Sequence, residues 1–258
     1  MPELKFQNLS LLFQENEKIK QEINEQVSNY RTYIHPRSWE IIDGIRVYIE
    51  NEHFLIEAPI NDDSFGGFIR STNTKKFICY INTEQPRIYQ NFTLAHELYH
   101  VLTLQGIKES IHMVKAGLDD DLDERKADYF ASVLLMEEHT VLNFYQQLKD
   151  KDELTKIIKS VFRFKVPFKA VLIRLYELKL IGIDTLEEFF DQKINLKEKF
   201  KALGLDPSSI EKSKVVIFKD LDSLMENTSL PDSAHEVNKT VLDEVNAYFS
   251  IDDTKGDE

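Results

Sequence analysis

One cysteine, Cys79, is all the thiol chemistry the chain holds, which excludes an internal disulfide framework. Glycine and proline are also scarce, at eight and seven of 258 residues, and the sequence shows no internal repeat or long low-complexity linker. No apolar run approaches the ~20 residues of a membrane span, and the first residues, Met-Pro-Glu-Leu-Lys, lack an apolar secretory core. Together these absences predict a cytoplasmic protein without a membrane partner. Positive charge is in deficit: 32 Lys/Arg against 45 Asp/Glu give a net −13, against binding of nucleic acid by the whole surface. Basic residues collect in one place. Residues 145–182 hold nine Lys/Arg and four Asp/Glu, or +5, which leaves −18 elsewhere.

What is present is a globular composition, 42 % hydrophobic and 30 % charged. Residues 4–34 carry Ile19, Ile23, Val27, Tyr30 and Ile34 at helical spacing, and His35-Pro36 ends that pattern. A short helix or loop is expected around Trp39. Ile45–Glu50, Phe54–Ile60, Phe65–Ser71 and Lys76–Asn82 have β-type composition, with turn residues between them, and predict an antiparallel sheet of three or four strands. Helices are expected near 87–104, 122–135, 138–148, 153–162, 168–180, 184–203 and 233–249; residues 107–118 are ambiguous, and 215–218 form a short apolar run.

The segment with the most chemical content is Phe92-Thr93-Leu94-Ala95-His96-Glu97-Leu98-Tyr99-His100-Val101-Leu102. On a helix, His96 and His100 fall about 40° apart and one turn along, so two imidazoles can grip one ion with Glu97 beside them as a base. A third ligand is required. The extension that would supply a glycine and a third histidine fails, because Thr103 and Gly106 occupy those positions. A carboxylate from a second helix is the other route. Glu124 fits it, with Ala127, Phe130, Ala131, Leu134 and Leu135 forming the apolar side of that helix. Asp128, one turn on, could accept the second ring N–H of a ligand histidine. His112 is the rival third ligand. Cys79, within Phe77-Ile78-Cys79-Tyr80-Ile81, reads as a packed thiol.

These residues resemble the ImmA/IrrE family of metallopeptidases. The matching pieces are Phe65-Gly66-Gly67, the strand ending Tyr80-Ile81-Asn82, Asn91 through His100, Glu124-Arg125-Lys126-Ala127-Asp128-Tyr129-Phe130-Ala131 and Leu134-Leu135-Met136, spanning about residues 40–180. The resemblance implies an α+β, zincin-like core with a small antiparallel or mixed sheet and an active-site helix, followed by a helical, helix-turn-helix-like part. It implies zinc on His96, His100 and Glu124, with Glu97 as catalytic base; Mn²⁺ or Fe²⁺ suit the same donors. Tyr99 stands where the family usually has glycine and Glu137 where it usually has proline. Tyr99 then needs a space for its ring, in the core or along the cleft.

The expected organisation is an N-terminal helix (1–35), the metallopeptidase core (36–145), a helical part (146–190) and a mostly helical extension (191–258) whose end, from 252, reads as disordered. The strand Phe77–Asn82 is expected at an exposed edge where an extended substrate pairs, an ordinary sheet strand being the other reading. Tyr80, Tyr89, Tyr99, Arg87 and His112 are candidates for stabilising an oxyanion or touching substrate. Family members commonly inactivate a helix-turn-helix repressor by cleavage, so the resemblance implies a derepressing zinc endopeptidase with a protein substrate. The alternative is a regulatory or toxin-antitoxin-type interaction protein that keeps the metal without proteolysis; an intact Glu97 speaks against it. Direct DNA binding through residues 153–180 is a third possibility, weighed against simple packing of Leu154, Ile157, Ile158, Val161, Val171, Leu172, Leu175 and Leu178, which is favoured.

Overall fold

A computed structural model describes residues 4–34, 40–62, 64–72, 76–103, 109–113 and 122–218, with the backbone alone at 34 and 109–113. The expectations for Trp39 and for a helix at 233–249 lie outside these residues.

The N-terminal helix α1 spans Leu9–Asn29 and continues into a π-turn, Tyr30–Ile34. Its stripe buries Ile19, Ile23, Val27 and Tyr30, as the spacing predicts. The run Ile45–Glu50, expected as strand, is instead the middle of helix α2, Ile41–Glu52. Ile41, Ile45 and Ile49 repeat every four residues, and Ile45 and Ile49 are fully buried. That period outweighs the β preference of branched side chains, which is a weak and context-dependent tendency.

Strands β1 (Phe54–Ala58), β2 (Phe65–Ser71) and β3 (Phe77–Asn82) follow, then helix α3 (Arg87–Thr103), strand β4 (Glu109–Met113) and helix α4 (Leu122–Leu135). Strand β5, Ile217–Phe218, completes a five-stranded sheet in the order β4-β2-β3-β1-β5. The sheet is mixed: β1 and β3 run parallel, the other pairs antiparallel. β3 is therefore a central strand, not the exposed edge expected of it, and all six of its residues are buried. The expectation was of an antiparallel sheet; β1 instead pairs in parallel with the free side of β3, opposite β2, and so encloses it.

The remaining helices are α5 (Glu138–Gln147), α6 (Glu153–Phe164), α7 (Phe168–Glu177), α8 (Ile183–Phe190) and α9 (Leu196–Ala202). The last two replace the single helix expected at 184–203. Glu137 caps α5, accepting hydrogen bonds from the backbone N–H of His139 and Thr140 at 3.0 and 2.8 Å. The departure from proline at this position thus keeps a helix start, by capping instead of by a fixed φ. Between α6 and α7, Lys165 closes the first helix in the left-handed conformation, φ 53°.

One hydrophobic core runs from Leu4 through α1, α3, α4 and the C-terminal helices to Phe200. α7 has no exposed residue, so its basic side chains do not form a free face; Lys169 donates to the Leu4 carbonyl and lies over the Phe190 ring. No helix among the described residues is long and apolar enough to cross a membrane.

Candidate metal centre

α3 places His96 and His100 on one face, where α4 packs against it. Ala127 and Ala131 of α4, both fully buried, let the helices approach closely. Three donor atoms meet there. His96 Nε2 lies 3.1 Å from His100 Nε2 and 3.1 Å from Glu124 Oε2, and His100 Nε2 lies 3.3 Å from Glu124 Oε1. Ligands about 2.0–2.1 Å from a tetrahedral zinc ion stand roughly 3.3–3.4 Å apart. The triangle therefore fits one face of such a coordination shell. Two imidazole nitrogens and a carboxylate are also the donor set that zinc and its first-row neighbours accept. Among the described residues this is the group of His, Cys, Asp and Glu side chains that could hold an ion.

Asp128 stands behind the first ligand, with Oδ1 3.0 Å from His96 Nδ1. An N–H donated from Nδ1 to this carboxylate leaves the Nε2 lone pair pointing into the triangle. His96 is fully buried, which disfavours its charged form, but Asp128 and Glu124 more than offset this and raise its pKa to about 10 in the metal-free protein.

Glu97 is fully buried and faces the sheet. Its neighbour there is Gly67 on β2. A Cβ at Gly67 would come within 2.4 Å of the Tyr80 carbonyl oxygen, 2.9 Å of Thr93 Cγ2 and 3.5 Å of Glu97 Oε1. Only glycine lets α3 lie this close to the sheet. The backbone of His112 pairs with Gly67 across the β2–β4 ladder; its side chain lies outside the description.

The other residues suggested by sequence are dispersed. Tyr80 points to the opposite face of the sheet, stacked on Phe68 at 5.2 Å, and its hydroxyl donates to the Ala58 carbonyl at 2.7 Å. It is corrected from the candidates near the metal, because alternation along β3 sends Cys79 and Ile81 towards α3 and Tyr80 away. Arg87 sits at the start of α3, its Nη1 donating to the Ser208 carbonyl at 2.9 Å, also away from the triangle. Tyr99 is 3 % exposed, so it does not line a cleft. Its ring packs between Phe130, 5.7 Å away, and the edge of His100, 5.5 Å away. Burial and the nearby Asp123 and Glu22 raise its hydroxyl pKa to about 12. Tyr89 is half-buried two turns before His96 on the same helical face.

Sequence reasoning missed two features. Gly67 was seen only as part of a matching motif; its contact with α3 depends on which strand lies below the helix. The buried Glu57, paired with Arg46 of α2, gave no signal in a short strand of mixed composition.

Fold and donor set together define a metallopeptidase-type centre: an α+β frame with two histidines on one helix and a carboxylate on the next. Residues 56–176 match the model of the IrrE N-terminal-like domain, a peptidase family. The match contains His96, Glu97, His100, Glu124, Asp128 and Gly67, whereas α1, α2 and everything after Tyr176 lie outside it. A search of curated proteins gives no match.

Proposed function

We propose that the chain is a zinc-dependent endopeptidase. The observation that carries this reading is the donor triangle of His96, His100 and Glu124, with edges of 3.1–3.3 Å, beside a buried Glu97. His96, His100 and Glu124 would hold a divalent ion, which would lower the pKa of a bound water and polarise a scissile carbonyl. Glu97, buried beside the triangle, would take a proton from the attacking water and pass it to the leaving amine. Burial keeps its carboxylate out of bulk solvent, where a proton transfer would be short-circuited. Asp128 keeps His96 in one tautomer and orientation.

An extended substrate needs a strand edge. β3 is enclosed, but β4 is the last strand of its side of the sheet among the described residues, and it pairs with β2 at Gly67. We place the substrate backbone along β4, within one strand of Glu97. The substrate class we propose is a protein, a helix-turn-helix repressor; the family resemblance supports this. The interaction-protein alternative gains nothing from the site, since a metal that only supports structure has no use for a base at Glu97.

The test is incubation with a helix-turn-helix protein encoded by a neighbouring frame, with and without chelator, beside a Glu97→Gln variant. Cleavage by the unaltered chain is expected, abolished by the chelator. The variant is expected to bind zinc equally and cleave about 10²–10⁴-fold more slowly. Full-rate cleavage by Glu97→Gln would remove the base assignment, and cleavage after complete metal removal would remove the metallopeptidase reading.

A further inference from the structure

The support of the metal centre does not stop at Asp128. One of its oxygens, Oδ1, faces His96; the other, Oδ2, lies 3.6 Å from Arg125 Nη2. The Arg125 side chain is only 11 % exposed, and its Nε is buried with no hydrogen-bond partner among the described residues. A cation so far out of water is retained only where carboxylates surround it. Glu177, at the end of α7, is a second carboxylate whose charge acts on Arg125 from a greater distance. It accepts a hydrogen bond from Asn16 Nδ2 of α1 at 2.7 Å and lies 3.7 Å from Arg174 Nη1. Burial pushes the Glu177 carboxyl up, while Asn16, Arg174 and Arg125 act to hold it charged.

Three carboxylates, Glu97, Glu124 and Asp128, crowd one small volume around the donor triangle. Their mutual repulsion favours swinging Asp128, the most exposed of them at 29 %, out to water. We propose that Arg125 is a positioning residue: buried beside Asp128 and attracted also by the more distant charge of Glu177, it holds Asp128 on His96 and so links metal affinity to the docking of α7. Asn16 and Glu177 both lie outside residues 56–176, so this support reaches beyond the stretch that matches the family. An exposed ion pair three residues apart on a helix is worth only a few tenths of a kcal/mol. The burial of Arg125 and its link to a second helix distinguish it from that case.

This inference rests on the metal-centre reading, and one experiment separates the two. Zn²⁺ affinity of the full chain is measured by competition with a chromophoric chelator, with far-ultraviolet circular dichroism as the check on folding. Arg125→Ala is expected to bind Zn²⁺ about three- to tenfold more weakly, somewhat less than the loss typical of a direct partner of a ligand. Glu177→Gln should shift in the same direction, and Arg125→Lys should recover part of the loss. Lys126→Ala, which removes the neighbouring 2.7 Å bridge to Glu22 of α1, should bind as the unaltered chain does. A folded Arg125→Ala with affinity within about twofold of the unaltered chain overturns the proposal, since a support of the ligands must show in their affinity. So does an equal loss in Lys126→Ala, which would mean general loosening of α1 from α4. Should Arg125→Ala not fold, unchanged affinity in both Glu177→Gln and Arg125→Lys overturns it. If the unaltered chain takes up no Zn²⁺, the metal-centre reading fails, and this inference with it.

Discussion

His96 Nδ1 and Asp128 Oδ1 stand 3.0 Å apart, joining a fully buried imidazole on α3 to a partly exposed carboxylate on α4. Glu124, one turn earlier on α4, reaches the other nitrogen of the same ring. One helix thus grips both ends of a single histidine, and the orientation of that ring depends on how α3 and α4 dock.

Asp128→Ala should therefore leave all three donors in place yet weaken Zn²⁺ binding by about 10–100-fold, the usual cost of removing a hydrogen-bond partner of a ligand histidine. Competition against a chelator of known affinity measures it. Affinity unchanged in Asp128→Ala would mean that His96 is held by packing alone.

Metal uptake should depend on pH in a definite direction. In the metal-free protein the His96 pKa is raised to about 10: burial lowers it, but Asp128 and Glu124 outweigh burial. The unfolded value is about 6.5. A raised pKa means that the folded metal-free chain holds the proton more tightly. Its contribution to stability is fully present below pH ~6.5 and is lost as pH rises towards 10. An ion must displace that proton, so Zn²⁺ affinity should rise with pH across this window, with about one proton released per ion bound. Calorimetry in buffers of different ionisation enthalpy counts the protons; no release at pH 7 would show His96 already neutral.

Gly67→Ala tests the approach of α3 to the sheet. The new methyl would lie 2.4 Å from a backbone oxygen, which has no rotamer to yield, so helix or strand must shift. A loss of roughly 1–3 kcal/mol or more is expected, as for overpacked cores, read as a lower midpoint in denaturant. Because Glu97 borders the same space, peptidase activity should fall further than the stability loss explains.

The segment after α9 should matter to the start of α3. The Glu211 carbonyl accepts from Arg87 N–H at 3.0 Å, and Thr83 bonds both to Lys214 N–H, at 3.0 Å, and to the Val215 carbonyl, at 2.8 Å. Ending the chain at Leu205 removes these bonds, each worth about 1 kcal/mol. Hydrogen exchange should accelerate at Arg87 while the amides around His96 stay protected. Unchanged exchange at Arg87 would show that the helix start needs no such strap.

Much of the centre is legible in the sequence because it is local. Four residues make about one helical turn, so His96 and His100 share a face whatever the rest of the chain does, and so do Glu124 and Asp128. The bracketing of Glu97 by the histidines is fixed in the same way. What joins the two pairs is not local: 28 residues separate His96 from Glu124, and only the packing of α4 on α3 brings them to 3.1 Å. The sheet was the less readable part. Ile45–Glu50 has strand composition but helical period, and the period prevailed because Ile45 and Ile49 had a core to fill. Whether β3 is an edge or a centre depends on β1 pairing with it in parallel across β2 and its turns, a non-sequential pairing that leaves little trace in either segment. The place of Tyr99 was decided by Phe130 on another helix. The sequence by itself determined which residues could bind an ion, through helical periodicity; the tertiary structure decided which of them meet, because contacts between elements depend on the packing of the whole core.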